Sequence, residues 1–137
     1  MVGQVRYLVD TSAYSLAQKN APEAVRLFSA ADQLVVTAVV LGELRFGFMN
    51  GSKPKQNEQL LQQFLDSPRT ETLPMNEDTS RYYATIRSVL MRAGTPISPN
   101  DMWIAASAMQ HGLTVLTADT DFQKIPQVIV ELLNGEP

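Results

Sequence analysis

Short apolar runs alternate with longer stretches of helical period along this chain, and this alternation restricts the fold more than any other feature. Residues 5–9 form a short apolar run that ends at Asp10, and residues 34–37 form a second. Runs of this length and composition read as buried strands. Residues 113–117 make the clearest strand, with shorter candidates at 71–73 and 128–130. Between these runs the period becomes helical. Pro22 suits the first turn of a helix over 23–31. Across 38–49, Val40, Leu41, Leu44 and Phe48 share one side. Leu60, Leu61, Phe64 and Leu65 define a helix that stops before Pro68. Asn76 is a good N-cap for a helix through Tyr83, Ile86, Val89 and Leu90 that ends at Gly94. Ser98 and Pro99 open a further helix to about Gln110, with Gly112 behind it. Residues 11–20 are ambiguous. Strands separated by one or two helices require crossovers, so the expected fold is α/β, with a central, mostly parallel sheet covered on both faces. In such sheets sites form at the carboxyl ends of the strands.

With 137 residues and no stretch that reads as a linker, the chain is expected to be a single domain over 1–137. Its 45% hydrophobic and 18% charged residues place it among globular rather than disordered chains. It has no cysteine, which excludes disulfides, thiolate metal sites and cysteine nucleophiles, and fits a reducing compartment. No apolar run reaches the roughly 18 residues of a membrane span. The first seven residues lack the apolar region of a secretory signal. A soluble, cytoplasmic protein without a membrane partner is expected. The net charge of −3 counts against holding nucleic acid by general electrostatics. That objection weakens if several acids gather around metal ions instead of facing solvent.

Four acids, with a fifth close beside one of them, stand where such gathering is possible. Asp10 follows one buried strand at its carboxyl end, and Asp119, with Asp121 just beyond, follows the strand 113–117. Two strands thus deliver carboxylates to the same sheet edge. Glu43 lies roughly 60° around its helix from Val40, on the border of the apolar stripe. Asp101 shares its side of a helix with Ile104, Ala105 and Ala108, while Trp103 points the other way. Each acid taken alone has an ordinary structural use, as a cap, a turn residue or a complement to a helix dipole. Together they are hard to explain so. Unpaired carboxylates in an apolar setting repel, and one would take up a proton unless a cation joined them. No Lys or Arg is spaced to pair with all of them. Mg²⁺ or Mn²⁺, hard cations that favour oxygen ligands and retain water, would relieve the repulsion. The chemistry suited to such a site is phosphodiester hydrolysis, in which no protein nucleophile is needed.

The motifs around these acids resemble those of PIN-domain ribonucleases. Leu8, Val9, Asp10, Thr11 and Ser12 resemble the family's opening motif. Thr37 through Glu43 and Leu44, followed by Phe46 and Gly47, resemble its x-x-E-L-x-x-G helix. Pro99, Asn100, Asp101, Met102, Trp103, Ile104, Ala105 and Ala106 resemble its N-D-x-x-I-A-A helix. Thr117, Asp119, Asp121 and Phe122 resemble the closing T-x-[ND]-x-x-F segment. The four segments occur in family order over nearly the whole chain. Its size, and Gly94, Thr95, Pro96 and Ile97 ahead of Asp101, look most like the VapC toxins of bacterial type II toxin–antitoxin pairs. The resemblance implies a three-layer α/β/α sandwich, Mg²⁺- or Mn²⁺-dependent endoribonuclease activity, a homodimer, and inhibition by a small VapB-like antitoxin. It assigns Asp10, Glu43 and Asp101 as metal-binding acids and puts the fourth position on Asp119, with Asp121 as the alternative. Thr11, Ser12 and Thr117 match positions that orient the acids or the phosphate.

Other residues admit two uses. His111 sits at a helix end, where a cation complements the dipole, and a metal site needs no histidine base. Trp103 can stack on a base or pack at a surface or interface. Arg81, Arg92, Lys53 and Lys55 can meet RNA phosphates or stay solvated. Phe46, Phe48 and Met49 with residues 60–65 supply more apolar surface than one helix pair needs, which predicts a partner groove or close helix packing. Two other functions compete with the ribonuclease. One is a phosphotransferase with Asp10 as nucleophile, for which Lys124 is the nearest lysine. The other is a degenerate domain that only binds, which the presence of all four main acids opposes.

Overall fold

The computed structural model describes residues 4–135. Met1, Val2 and Gly3 of the segment read for a secretory signal lie outside this range, as do Glu136 and Pro137 of the expected single domain. The chain runs β1 (Arg6–Val9), α1 (Thr11–Gln18), α2 (Pro22–Ala30), β2 (Gln33–Thr37), α3 (Ala38–Met49), α4 (Pro54–Leu65), β3 (Thr70–Leu73), α5 (Glu77–Ala93), α6 (Pro99–His111), β4 (Thr114–Thr117), a 3-10 helix (Thr120–Lys124) and β5 (Ile129–Leu132). The ambiguous stretch 11–20 is mostly helix. Lys55, expected near a loop, lies in the first turn of α4, because Pro54 opens that helix earlier than its apolar residues suggest.

The five strands pair in the order β3-β2-β1-β4-β5, and each pairing is parallel. The sheet is therefore parallel throughout, where a mostly parallel one was expected. Its register sets Leu8 opposite Val35 on one side and Val115 on the other. Leu8, Val9, Val35, Val36, Val115 and Leu116 are fully buried. That is why the central strands read as continuous apolar runs: both faces of each are covered. β3 and β5 are edge strands, and residues such as Glu71 and Glu131 face water.

Chain direction fixes the layers. From β1 the chain steps outward to β2 and then β3, and afterwards returns through α5 and α6 across two strands to β4. Right-handed crossovers put α1–α4 on one face and α5 and α6 on the other. This is the α/β/α sandwich. β1 and β4 are neighbours approached from opposite directions, so a crevice opens between their carboxyl ends.

Local signals explain the helices that frame this crevice. Asn76 caps α5 in a capping box: its side chain accepts from Thr79 N at 3.2 Å, and Thr79 Oγ1 accepts from Asn76 N at 3.0 Å. Gly94 ends α5 in the left-handed region at φ 69°, where a Cβ would be strained. Trp103 is taken up in packing. It stacks on Tyr83 of α5, with centroids 4.1 Å apart and planes 17° apart. His111 occupies the last turn of α6, so Asp101 and His111 are separated by ten residues of helix, about 15 Å. Arg81 pairs with Glu77 and Asp78 at 3.5 Å on the exposed face of α5. No described helix is long and apolar enough to cross a membrane.

Gln110 Nε2 also donates to Asn76 Oδ1, at 3.3 Å, so one side chain ties the start of α5 to the end of α6. Asn76→Ala should therefore destabilise the protein by about 1–2 kcal/mol. Thermal denaturation should show a fall in Tm of about 3–8 °C. An unchanged Tm would mean that α5 does not depend on this cap.

Candidate active site

The crevice is built from four segments. β1 ends at Val9, and Asp10 follows as the N-cap of α1, its backbone N–H donating to Leu116 O at 3.0 Å. β4 ends at Thr117, whose side chain is wholly buried. The Thr117 hydroxyl donates to Asp10 Oδ2 at 2.7 Å and accepts from Asp119 N at 2.9 Å. Ser12 Oγ donates to the same Asp10 oxygen at 3.1 Å and accepts from Ala118 N at 2.9 Å. Two hydroxyls thus knit the ends of β1 and β4 around one carboxylate. Thr11 Oγ1 turns the other way and donates to Glu43 Oε1 on α3, at 2.6 Å. The second Glu43 oxygen accepts from Asn100 Nδ2 at 3.3 Å.

Asp101 stands in the first turn of α6, which Ser98 caps by accepting from Asp101 N at 3.2 Å. Asp119 caps the 3-10 helix and accepts from Asp121 N at 2.9 Å. Carboxylate oxygens of Asp101, Asp119 and Asp121 lie within 4.8 Å of one another. Of the acids chosen from the sequence, these three form the tightest group. Asp10 and Glu43 stand outside it, though near enough to act on Asp101 electrostatically. Asp119 and Asp121, posed as alternatives, both enter the group, because Asp119 caps the 3-10 helix by accepting from Asp121 N, which holds the two residues together.

The electrostatics follow from this crowding. Asp10 is 5% exposed, and burial raises its pKa, with Glu43 adding to the rise. The hydroxyls of Thr117 and Ser12 and the Thr11 backbone oppose it. Burial also raises Asp101, and Asp10, Asp119 and Glu43 push it further, to about 6. Among the described residues, one cation forms an ion pair with any of these acids: Lys124, with Nζ 2.7 Å from Asp121 Oδ1. Three converging carboxylates, with two more at their flank and one ammonium, suit a hard divalent cation bound through oxygen.

Two residues at this site were not singled out from the sequence as members of it. Asn100 was visible as the residue before Asp101, but its hold on Glu43 depends on α3 and α6 meeting past the carboxyl edge of the sheet. Lys124 had been weighed only as a partner for Asp10. Its spacing of three from Asp121 was the available signal, readable once the segment is known to be a 3-10 turn.

Fold and site define a class: an α/β/α nuclease domain with an acid cluster at the carboxyl edge of a parallel sheet. Residues 7–128 match the PIN domain family, and the chain belongs to that family. It is 34% identical over 125 residues to Ribonuclease VapC4 of Mycobacterium tuberculosis, covering 91% of this chain and 95% of that relative. It is 29% identical over 130 residues to the tRNA(fMet)-specific endonuclease VapC of Salmonella typhimurium, covering 93% and 97%. The crystal structure of VapBC2 from Rickettsia felis bound to a DNA fragment from their promoter superposes with a TM-score of 0.81 at 27% identity, over 93% of this chain and 98% of that one.

Two predictions follow from the cluster. A carboxyl raised in the folded state keeps a proton that the unfolded chain has already lost. Between 3.8, the ordinary value for Asp101, and about 6, the native state binds more protons, so stability falls as pH rises through this window. In chelator the Tm should fall between pH 4 and pH 7, saturating Mg²⁺ or Mn²⁺ should restore it at pH 7, and Asp101→Asn should flatten the profile. A Tm indifferent to both pH and metal would show that these carboxylates do not confront one another. Thr117→Val keeps the shape but removes the hydroxyl shared by Asp10 and Asp119. It should cost about 1–3 kcal/mol in denaturant unfolding. It should also weaken metal binding about 10–100-fold by calorimetric titration.

Proposed function

We propose that this chain is a metal-dependent endoribonuclease that hydrolyses RNA phosphodiester bonds as the toxin of a type II toxin–antitoxin pair. The observation that carries the reading is the convergence of Asp101, Asp119 and Asp121 within 4.8 Å at the carboxyl edge of a PIN-domain sheet. Membership of the family and likeness to proteins named VapC ribonucleases support the nuclease activity.

Asp10, Glu43, Asp101 and Asp119 are the proposed metal-binding acids, and Asp121 completes the catalytic set. The proposed ion is Mg²⁺ or Mn²⁺; when bound, it lowers the pKa of a coordinated water and offsets charge on the phosphate oxygens. The chain's residues do the positioning. Thr117 and Ser12 hold the Asp10 carboxylate in one rotamer, and Thr11 with Asn100 holds Glu43. Asp119, by capping the 3-10 helix, aims Asp121 at Asp101. A covalent route through Asp10 is disfavoured, since its Oδ2 is engaged by two hydroxyls and the lysine of the cluster sits on Asp121 instead.

The partner follows from the same likeness: the matched structures include VapBC and FitAB complexes. A small VapB-like antitoxin is proposed to cover the α3–α4 face. There Phe46 is 71% and Met49 78% exposed. Phe48 and Leu60 line a cavity of about 290 Å³ with Tyr14 and Lys19. A homodimer of single PIN domains over 1–137, acting on cellular RNA in the cytoplasm, completes the proposal.

Purified protein should cleave structured RNA in the presence of Mg²⁺ or Mn²⁺ and stop in chelator. Asp10→Asn and Asp101→Asn should each lower the rate at least about a hundredfold, which corresponds to close to 3 kcal/mol of barrier. Variants that cut as fast as the parent would remove these acids from the mechanism.

A further inference from the structure

Lys124 is the one cation in ion-pair contact with the acid cluster among the described residues. Its position is built by the fold. The 3-10 helix Thr120–Lys124 stacks residues three apart, so Lys124 rises directly over Asp121. The turn cannot drift: Asp119 caps its start, Phe122 is wholly buried within it, and Ile125 just beyond is buried too. The root of the lysine is thus fixed. Its head is not, since the side chain is 46% exposed and carries four flexible carbons.

The carboxylate it touches is shared. Asp121 also has a carboxylate oxygen within 4.8 Å of those of Asp101 and Asp119, so the ammonium pairs with a member of the cluster. An ion pair this exposed is weak, so it is easily given up. A phosphodiester drawn into the cluster needs positive charge on its non-bridging oxygens, and needs more as charge accumulates there in the transition state. Asp121 and the phosphate would then compete for the same ammonium within one side-chain length.

We propose that Lys124 is a substrate-contacting catalytic residue, whose ammonium moves from Asp121 to a non-bridging oxygen of the scissile phosphate when RNA binds. The lysine keeps its proton throughout, and no bond to it forms or breaks; it contributes charge and one hydrogen bond. The inference rests on the ribonuclease reading. It differs from a purely structural role, in which Lys124 would only neutralise Asp121.

The test compares Lys124→Met and Lys124→Arg with the parent in three measurements. These are cleavage of total cellular RNA with Mn²⁺, calorimetric titration with Mn²⁺ alone, and filter binding of end-labelled total RNA across a salt series in an Asp10→Asn background. Lys124→Met should cut about 10–100-fold more slowly. It should bind Mn²⁺ as tightly as the parent or more so, because Asp121 is freed. Its RNA binding should have a salt slope smaller by about one. Lys124→Arg should recover most of the rate and the parental slope. Lys124→Met that cuts at the parental rate, or that loses rate only in proportion to lost Mn²⁺ affinity, overturns the proposal. If Lys124→Met does not fold, Lys124→Gln takes its place under the same criteria. A parent that binds Mn²⁺ yet cleaves no RNA overturns the ribonuclease reading and this inference together.

Discussion

Parallel pairing of β1 with β4 is the constraint on which the site depends. It brings Asp10 and Thr117, 107 residues apart in the chain, to the same edge of the sheet. The hydroxyl bond of 2.7 Å between them does more than satisfy two buried groups. It holds a carboxylate in place against its own tendency to take up a proton, and through Asp119 N it aligns the turn that carries the other acids. A sheet paired antiparallel here would send these residues to opposite edges, and no cluster would form.

Around that junction the protein holds like charges together, at the expense of stability. Asp101 is raised to about 6 by burial and by three neighbouring carboxylates, so the fold opposes its own site at neutral pH. Such strain is tolerable because it is local. The layers beneath are close-packed, with Leu8, Val35, Val115 and Ile104 fully buried, and α5 and α6 are capped by their own residues. The charge that repels in the free protein is what a divalent cation binds to. The net charge of −3 counts these gathered carboxylates without any cation between them.

Much of the architecture was legible in the sequence. Strands buried on both faces show themselves as unbroken apolar runs, α3, α5 and α6 carry clear periods, and α5 and α6 add an Asn or Ser cap and a glycine stop. Legibility failed where the local pattern is weak. The stretch 11–20 has no clean stripe, because α1 starts beside the polar site and is buried mainly through Ala13, Tyr14 and Leu16. The opening of α4 is polar and exposed, so its first turn read as loop. The segment after β4 looked like a plain turn, although Asp119 caps a short 3-10 helix there.

By itself the sequence determined which elements form and which acids stand at their ends, because both depend on short-range preferences: hydrophobic period, caps and breakers. It also carried the four motifs that point to the family. Only the tertiary structure decided how those acids are grouped. Asp119 and Asp121 both came within 4.8 Å of Asp101, Glu43 was drawn between Thr11 and Asn100, and Lys124 was paired with Asp121. Each of these outcomes turns on a few ångströms of approach between segments distant in the chain, or on the pitch of one short turn. Contacts of that kind are set by the packing of whole layers and leave no periodic trace in the residues that make them.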